Sequence, residues 1–261
     1  SIYSPSRMVS KKVEEARKLI AGTIGAEASE IYFTSGGSES DNWAIKKIMI
    51  SRMNKGKHMI TTKIEHHAVL ESCKYLESLG FEVTYLNVNE DGLIDLNELE
   101  SSIREDTILV SIMAANNEIG TLMPLKEIGS ICKKHKVLFH TDAVQAYGNI
   151  PIDVNEMNID LLSTSAHKIE GPKGIGFLYV RKGVMITPLI SGGMQEKGKR
   201  AGTTNAAGII GFAKAAELKF SEIKKNNEYV LNLREHLIDR VLSEIPYVRL
   251  NGSRDKRLVG N

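Results

Sequence analysis

Residues 31–45 of the chain read IYFTSGGSESDNWAI and contain three successive structural signals. The β-branched and aromatic residues at 31–34 predict a short buried strand. Gly36 and Gly37 predict a tight turn, and the serines and acids at 38–41 are typical of the start of a helix. Apolar residues then recur at helical spacing to about Met53. The segment therefore predicts a strand, a glycine turn and a helix in direct succession.

The same alternation repeats along most of the chain. It predicts further strands at 58–62, 82–88, 107–113, 137–141, 161–164 and 175–180, and helices at 7–21, 67–79, 96–103, 126–135 and 206–223. Alternation of this kind predicts an α/β fold, with a mostly parallel sheet covered by helices on both faces. Ligands of such sheets bind at the carboxyl ends of the strands, so those ends are where functional residues are expected.

The C-terminal region shows a different pattern. A polar break at Lys224–Asn227 is expected to separate the helix at 206–223 from another helix that reaches Glu244. Tyr247–Leu250 then has the pattern of a strand, and the chain stops soon afterwards. Because the sequence also begins at Ser1 without an initiator Met, we expect it to be a piece of a longer protein.

Composition excludes several classes of protein. Of 261 residues, 42% are apolar and 25% are charged, which is typical of a soluble globular protein rather than a disordered one. The net charge of +2 is spread over interleaved positive and negative residues, so nucleic acid is not expected as a partner. No apolar stretch approaches the roughly 20 residues of a membrane span. Cys73 and Cys132 form no metal or disulfide motif, which favours a reducing, cytoplasmic location.

Residues 163–168 read STSAHK and give the strongest signal for chemistry. Lys168 lies just beyond a predicted strand and is followed by Gly-Pro-Lys-Gly at 171–174. A lysine held there can form an imine with an aldehyde cofactor, and Ser165 and His167 can donate hydrogen bonds to a phosphate. The alternative is a solvated surface lysine.

Residues 139–145 read FHTDAVQ and place an acid at another strand end. Asp142 can keep a pyridinium nitrogen protonated, and Gln145 can donate to a phenolate oxygen of the same ring. Asp is also common in caps and turns, which is the alternative explanation.

Other predicted strand ends carry weaker signals. The helix start at Gly37 and Ser38 can bind a phosphate through free backbone N–H groups, although glycine turns before helices are common. His66 can stack on a flat ring, and Asn117 offers an amide, although its segment also fits a plain turn. The adjacent His66 and His67 point in different directions, and no acidic or Cys cluster completes a site, so no metal is predicted.

Taken together, these motifs resemble the cysteine desulfurases of the NifS/IscS type, which belong to the class V, fold-type I aminotransferases that use pyridoxal 5′-phosphate (PLP). The resemblance covers essentially the whole chain. Its motifs are TSGGSESDN at 34–42, EH at 65–66, NNEIG at 116–120, DAVQ at 142–145, SAHK at 165–168 with GPKG at 171–174, and RAGT at 200–203.

The resemblance implies a role for each matching residue. Lys168 would form the Schiff base with PLP, Asp142 would pair with the pyridine nitrogen, and His66 would stack on the ring. The ring hydroxyl and the phosphate would be bound by Gln145, Asn117, Gly37, Ser38, Ser165, His167 and Thr203, the last reaching across from the second subunit of a homodimer. Residues 1–222 would form the PLP-binding large domain, and 223–261 would begin a truncated α+β small domain.

The activity implied is removal of sulfur from L-cysteine, which yields L-alanine and an enzyme persulfide that supplies a sulfur-acceptor protein for iron–sulfur cluster or thio-cofactor synthesis. In the family, the cysteine nucleophile and a substrate-binding arginine lie in a C-terminal part that these residues do not include. Cys73 and Cys132 are predicted to be buried apolar residues instead, so the fragment itself is expected to be inactive. A different class V aminotransferase, a selenocysteine lyase, and a binding module without turnover remain alternatives.

Overall fold

The computed structural model describes residues 4–261, which form a seven-stranded sheet with helices on both faces. The strands are β1 Ile31–Thr34, β2 His58–Thr62, β3 Glu82–Leu86, β4 Thr107–Ser111, β5 Leu138–Asp142, β6 Leu161–Ser163 and β7 Gly176–Val180. The helices are α1 Ser4–Gly22, α2 Gly37–Ser51, α3 His67–Ser78, α4 Leu96–Ser102, α5 Leu125–His135 and α6 Ala206–Glu244. Each strand of the sheet lies within two residues of a predicted strand.

The strands are arranged in the order β1-β7-β6-β5-β4-β2-β3. Strands β3, β2, β4, β5 and β6 are parallel to one another, whereas β7 is antiparallel to both β6 and β1. The mostly parallel sheet predicted from the sequence is therefore confirmed. Because β1 runs in the same direction as the parallel strands, the carboxyl ends of β1, β2, β4, β5 and β6 all reach one edge of the sheet.

The core consists of two apolar clusters, one on each face of the sheet. Along β7, Phe177 and Tyr179 belong to the cluster that includes residues of α1, α4, α5 and α6. Leu178 and Val180 belong to the cluster that includes residues of α2 and α3. Successive side chains of a strand point to opposite faces, which explains this alternation. The predicted covering of both faces by helices is thus confirmed.

The predicted break in the last helix is wrong. Helix α6 runs without interruption through Lys224–Asn227 and is 39 residues long. The polar segment contains neither Gly nor Pro, so nothing in it opposes helical geometry, and its charged side chains lie in solvent. Asn227 also donates a 2.8 Å hydrogen bond to the carbonyl of Asn149. The helix crosses the proposed boundary between residues 222 and 223, and the division into two domains stays a prediction.

The strand predicted at Tyr247–Leu250 is also wrong, because this segment is irregular. Tyr247 has a φ of 61° and a fully exposed side chain, neither of which suits a paired strand. The chain makes its sheet-like contacts further on: Leu122 N–H donates to the carbonyl of Lys256 at 2.9 Å, beside an isolated bridge between Thr121 and Arg257. The pattern of alternating residues alone could not show where a pairing edge exists.

The most apolar segments of the sequence, 107–113 and 206–216, occupy β4 with its following residues and the start of α6. Across residues 4–261, no helix combines the length with the hydropathy that crossing a bilayer requires. The apolar segments instead supply residues to the two core clusters, such as Val110 and Phe212.

Candidate active site

A cavity of about 210 Å³ opens at the edge of the sheet where the parallel strands end. All the predicted site residues except Thr203 line it: Gly37, Ser38, His66, Asn117, Asp142, Gln145, Ser165, His167 and Lys168. They come from the segments that follow β1, β2, β4, β5 and β6, so the parallel sheet is what brings them together. Asp41, Met113, Ala115 and Val144 complete the lining.

The lining has two parts that differ in burial. We call the buried residues Asp41, Met113, Asp142 and Ser165 the cavity floor. We call the exposed residues Ser38, His66, Asn117, His167 and Lys168 the cavity rim. Both parts are built from strand ends and helix starts, and the burial of their side chains is what distinguishes them.

Lys168 and Asp142 share this cavity. Asp142 is the last residue of β5, and its pairing with Ser163 on β6 sets the two strand ends side by side. Two residues after Ser163, Ser165 starts a short 3-10 helix, Ala166–Ile169, that carries Lys168. A lysine amine and a buried carboxylate are therefore presented to the same space, as an aldehyde cofactor with a ring nitrogen requires.

Asp142 combines burial with specific stabilising contacts. Its side chain is buried, and burial raises the pKa of Asp142 above its ordinary value. The opposing contributions come from the backbone N–H of Val144, which donates to Oδ1 at 2.9 Å, and from the charges of His66 and Lys168. A positively charged ring nitrogen in the cavity would favour the ionised carboxylate further.

The start of α2 has the features of an anion site. Its N-cap, Gly36, has a φ of 148° and supplies no side-chain cap, so the first N–H groups of the helix lack that partner. A Cβ on Gly37 would lie 2.5 Å from Cγ2 of Val144, so a larger residue would force Val144 or the helix start to shift. Beside this helix start, Ser165 Oγ and His167 Nδ1 are hydrogen-bonded at 2.8 Å.

His66 has a defined orientation because it caps helix α3. Its Nδ1 accepts a 3.1 Å hydrogen bond from the backbone N–H of Ala68, so a neutral ring carries its proton on Nε2. The preceding residue, Glu65, is buried and fixes the turn by accepting from Thr62 Oγ1 at 2.8 Å and from Met113 N–H at 3.1 Å. His67 does not line the cavity.

Asn117 is presented by a turn that Asn116 stabilises. Asn116 Oδ1 accepts from the backbone N–H groups of Glu118 and Ile119, and its Nδ2 donates to the carbonyl of Ile64 at 2.9 Å. The turn that the sequence indicated is therefore present, and it leaves the side chain of Asn117 exposed at the rim. Gln145 lies half-buried beyond β5 on the same cavity.

Sequence reasoning included two acids in its motifs, one lining this cavity and one beside it, but gave neither a role. Asp41 is 1% exposed, and neither carboxylate oxygen has a hydrogen-bond partner among the described residues. Burial raises the pKa of Glu65 to about 8. Asp41 had the pattern of an ordinary acid near a helix start. Its position four residues after Gly37 was the available signal, since such residues share a helix face.

The acids around His66 correct the expectation that no acidic cluster lies there. One ligand atom from each of Asp41, His66 and Asp142 falls within 4.8 Å of the other two. Burial raises the pKa of both carboxyls, which disfavours the two adjacent negative charges that would best bind a cation. We assign these groups to the cofactor cavity, and the absence of a metal stays a prediction.

Thr203 is exposed and lies outside the cavity. Its segment is anchored by Arg200, whose Nε and Nη2 donate to Glu39 in α2 at 2.8 and 3.0 Å. Thr203 lines a separate groove with residues of α1, such as Val9 and Val13. Its expected role in a second subunit stays a prediction.

Both cysteines are core residues, as predicted. Cys73 and Cys132 are 0% and 1% exposed. Burial raises the pKa of each thiol to about 12, and Cys73 Sγ lies 3.9 Å from the sulfur of Met59. A thiol with these properties is a poor nucleophile near neutral pH.

Comparison with known proteins agrees with this geometry. The family model described as aminotransferase class-V matches residues 1–260. The chain belongs to the class-V aminotransferase family. A cysteine desulfurase IscS from Methanosarcina thermophila is 56% identical over the whole chain, which covers 64% of that protein. The NifS-like resemblance predicted from the motifs is thus confirmed.

Two solved structures resemble this class-V chain closely. A NifS-like protein superimposes with a TM-score of 0.96 at 41% identity, over 99% of this chain and 71% of the other. A structure described as SspA in complex with cysteine has a TM-score of 0.81 at 46% identity, over 83% of this chain and 63% of the other. The cysteine desulfurase from Methanosarcina thermophila is longer than this chain, which spans a little under two thirds of its length.

Members of this family are PLP-dependent. The residues present fit that group on two independent observations. Val144 closes the space beside Gly37, so the absence of a side chain there keeps the helix start open to a ligand. Beneath the cavity, a buried carboxylate at Asp142 has a second, unpartnered acid beside it. The phosphate would bind at the helix start beside Gly37, and the ring nitrogen would pair with the carboxylate of Asp142.

Proposed function

We propose that this chain is the cofactor-binding part of a PLP-dependent cysteine desulfurase, which removes sulfur from L-cysteine and releases L-alanine. The observation that carries the proposal is the shared cavity of Lys168 and Asp142, with a phosphate-binding helix start at Gly37. Support comes from relatives named cysteine desulfurases and from the related SspA, whose structure is described as a complex with cysteine.

Each residue of the cavity has a distinct role in this proposal. Bound PLP supplies an aldehyde carbon and an electron-withdrawing ring. Lys168 Nζ holds the cofactor and, once freed, takes the proton from the substrate Cα. Asp142 keeps a negative charge beside the ring nitrogen, and His66 covers the ring with its Nε2–H free to donate. Asn117 and Gln145 bind the ring hydroxyl, while Ser38, Ser165 and His167 bind the phosphate.

The sulfur itself needs a thiolate that these residues do not supply. Cys73 and Cys132 are buried with raised pKa values, so neither can attack the substrate sulfur. We propose that the nucleophile belongs to a further part of the protein, which passes sulfur from a persulfide to an acceptor protein. We also propose a cytoplasmic homodimer in which Thr203 contacts the phosphate of the partner subunit. The isolated 261-residue chain is expected to release no sulfide.

The test uses the full-length protein reconstituted with PLP. With an excess of a thiol reductant present to reduce the persulfide, we expect sulfide and alanine in equal amounts from L-cysteine, together with the visible absorption band of the lysine-bound cofactor. Lys168→Ala should abolish that band and lower turnover by at least about 100-fold, because the residue that binds the cofactor and moves the proton is lost. Lys182→Ala is the matched control, since Lys182 is exposed just beyond β7 and does not line the cavity.

An unchanged absorption band in Lys168→Ala would contradict the lysine assignment. Formation of an oxo acid without sulfide would identify an aminotransferase instead. Release of selenide from selenocysteine, with no sulfide from cysteine, would identify a selenocysteine lyase.

A further inference from the structure

Asp41 is a buried ionisable residue of the cavity floor. It lies in the second turn of α2, is 1% exposed, and has no hydrogen bond to either carboxylate oxygen among the described residues. A carboxylate buried in this way is unfavourable unless it is paired, hydrogen-bonded or protonated. The groups that face Asp41 therefore determine which of these applies.

Those groups come from three neighbouring elements. Strand β5 contributes Asp142 and His140, strand β6 contributes Ser163, and the connection between β2 and α3 contributes Glu65 and His66. His140 Nε2 lies 3.7 Å from Asp41 Oδ1, but it cannot provide a positive charge. Burial lowers the pKa of His140 to about 3, and its two ring nitrogens are hydrogen-bonded to Ser111 and Ser163. The histidine is therefore neutral.

The two aspartates have unequal surroundings. Asp142 accepts the Val144 N–H and is stabilised as an anion by the charges of His66 and Lys168. Asp41 has no backbone donor, and burial, followed by the Asp142 charge, raises the pKa of Asp41 well above its ordinary value, with only the nearby Ser163 hydroxyl opposing this shift. Carboxyl oxygens within 4.8 Å of each other in a buried site cannot both be ionised at low cost. One proton therefore stays with the pair, and it belongs on Asp41.

We propose that Asp41 is a positioning residue that stays protonated and directs its O–H toward Asp142. The neutral acid stabilises Asp142 as the single anion of the cavity floor, with its charge directed at the ring nitrogen of the cofactor. A site with two carboxyls thereby presents one negative charge to one positive charge. The cofactor part of this inference rests on the proposed function.

The experiment measures PLP affinity of the full-length protein by absorbance titration from pH 6 to pH 9. Asp41→Asn keeps the shape and an N–H donor, so its affinity should stay within about twofold of the wild type throughout. Asp41→Leu keeps a γ-branched side chain without a donor, so affinity should fall about tenfold and its pH profile should move to higher pH, because Asp142 ionises less readily. Asp142→Asn should weaken binding at every pH.

Each alternative outcome is distinct. If Asp41→Asn binds PLP as poorly as Asp142→Asn, Asp41 carries charge and the inference is wrong. If Asp41→Leu weakens binding without moving the pH profile, its role is only structural and the inference is also wrong. Should the leucine variant fail to fold, Asp41→Ser retains a hydroxyl donor and is expected to show a smaller loss of affinity with the wild-type pH profile; a displaced profile would overturn the inference. A wild-type protein that binds no PLP would refute the proposed function, and this inference with it.

Discussion

The floor and the rim of the cavity differ in both burial and chemistry. Floor residues Asp41 and Asp142 are buried, and burial raises the pKa of each. Rim residues His66 and Lys168 are exposed, although the cavity includes both. The buried acids that set the charge of the site thus lie where water is excluded, and groups that must meet an incoming substrate lie where it can enter. Electrostatic interactions are stronger at the floor for the same reason.

This difference follows from the fold. Asp142 ends a strand, and Asp41 lies on a helix packed against the sheet, so core packing fixes both side chains. Lys168 lies on a short 3-10 helix beyond β6, and His66 caps α3. Parallel strands whose ends meet at one edge supply both kinds of position at once.

The reactivity of the two buried thiols, Cys73 and Cys132, tests whether the described residues contain a nucleophile outside the cavity rim. Because the pKa of both thiols is about 12, only about one in 10⁴ is ionised at pH 8. Alkylation of Cys73 and Cys132 in this 261-residue chain should therefore be about 1000-fold slower than that of a free cysteine, a difference that burial increases. The measurement is the rate of iodoacetamide incorporation, followed by mass spectrometry.

The control is the same reaction in concentrated urea, where both thiols should react at the rate of a free cysteine. Rapid labelling of either cysteine in the folded chain would show a reactive nucleophile outside the rim. The comparison between floor and rim would then no longer describe where the chemistry takes place.

Much of the site could be predicted because the sequence signals at strand ends are local. A buried strand followed by a polar run identifies Asp142 and Ser165 without knowledge of the strand order, since parallel ends share an edge. No role was assigned to Asp41 and Glu65, for the opposite reason. Their importance depends on packing between elements, and an acid beside a helix start has the same local pattern whether it faces solvent or the core.

The C-terminal errors have a related cause. The polar residues at 224–227 suggested a loop, but they are compatible with a helix and are exposed in α6. A strand at 247–250 needed a pairing partner, which no local pattern can supply. Whether a segment forms a helix or a paired strand depends on its tertiary contacts when its local sequence signals are weak.

Helix α2 carries both the rim residue Ser38 and the floor residue Asp41, and its start is the proposed anion site. A substitution at Gly37 tests that site. Gly37→Ala would place a Cβ 2.5 Å from Cγ2 of Val144, forcing the helix start to shift. We expect the affinity for PLP in the full-length protein to fall about tenfold, because hydrogen bonds to the phosphate lose their alignment. The measurement is an equilibrium titration of cofactor absorbance.

Two further variants sharpen this prediction. Combining Gly37→Ala with Val144→Ala removes the close contact and should restore most of the affinity. Gly22→Ala, at the end of α1, is the matched control, since nothing lies within 4 Å of its added Cβ. If Gly37→Ala binds PLP as well as the Gly22→Ala variant, then the start of α2 does not hold the phosphate.

The smallest expected effect concerns Glu65, the buried acid next to the rim residue His66. Unfolded Glu65 ionises near 4.5, whereas burial raises the pKa of folded Glu65 to about 8, so raising the pH between these values favours unfolding. From pH 7 to pH 8 this group alone should lower the free energy of unfolding by about 1 kcal/mol. Glu65→Gln should remove that decrease, as measured by urea unfolding of the chain, whereas Glu90→Gln at an exposed position should retain it. An equal decrease in all three proteins would mean that folded Glu65 is already ionised at pH 7. The raised pKa that distinguishes the floor acids would then not apply to Glu65.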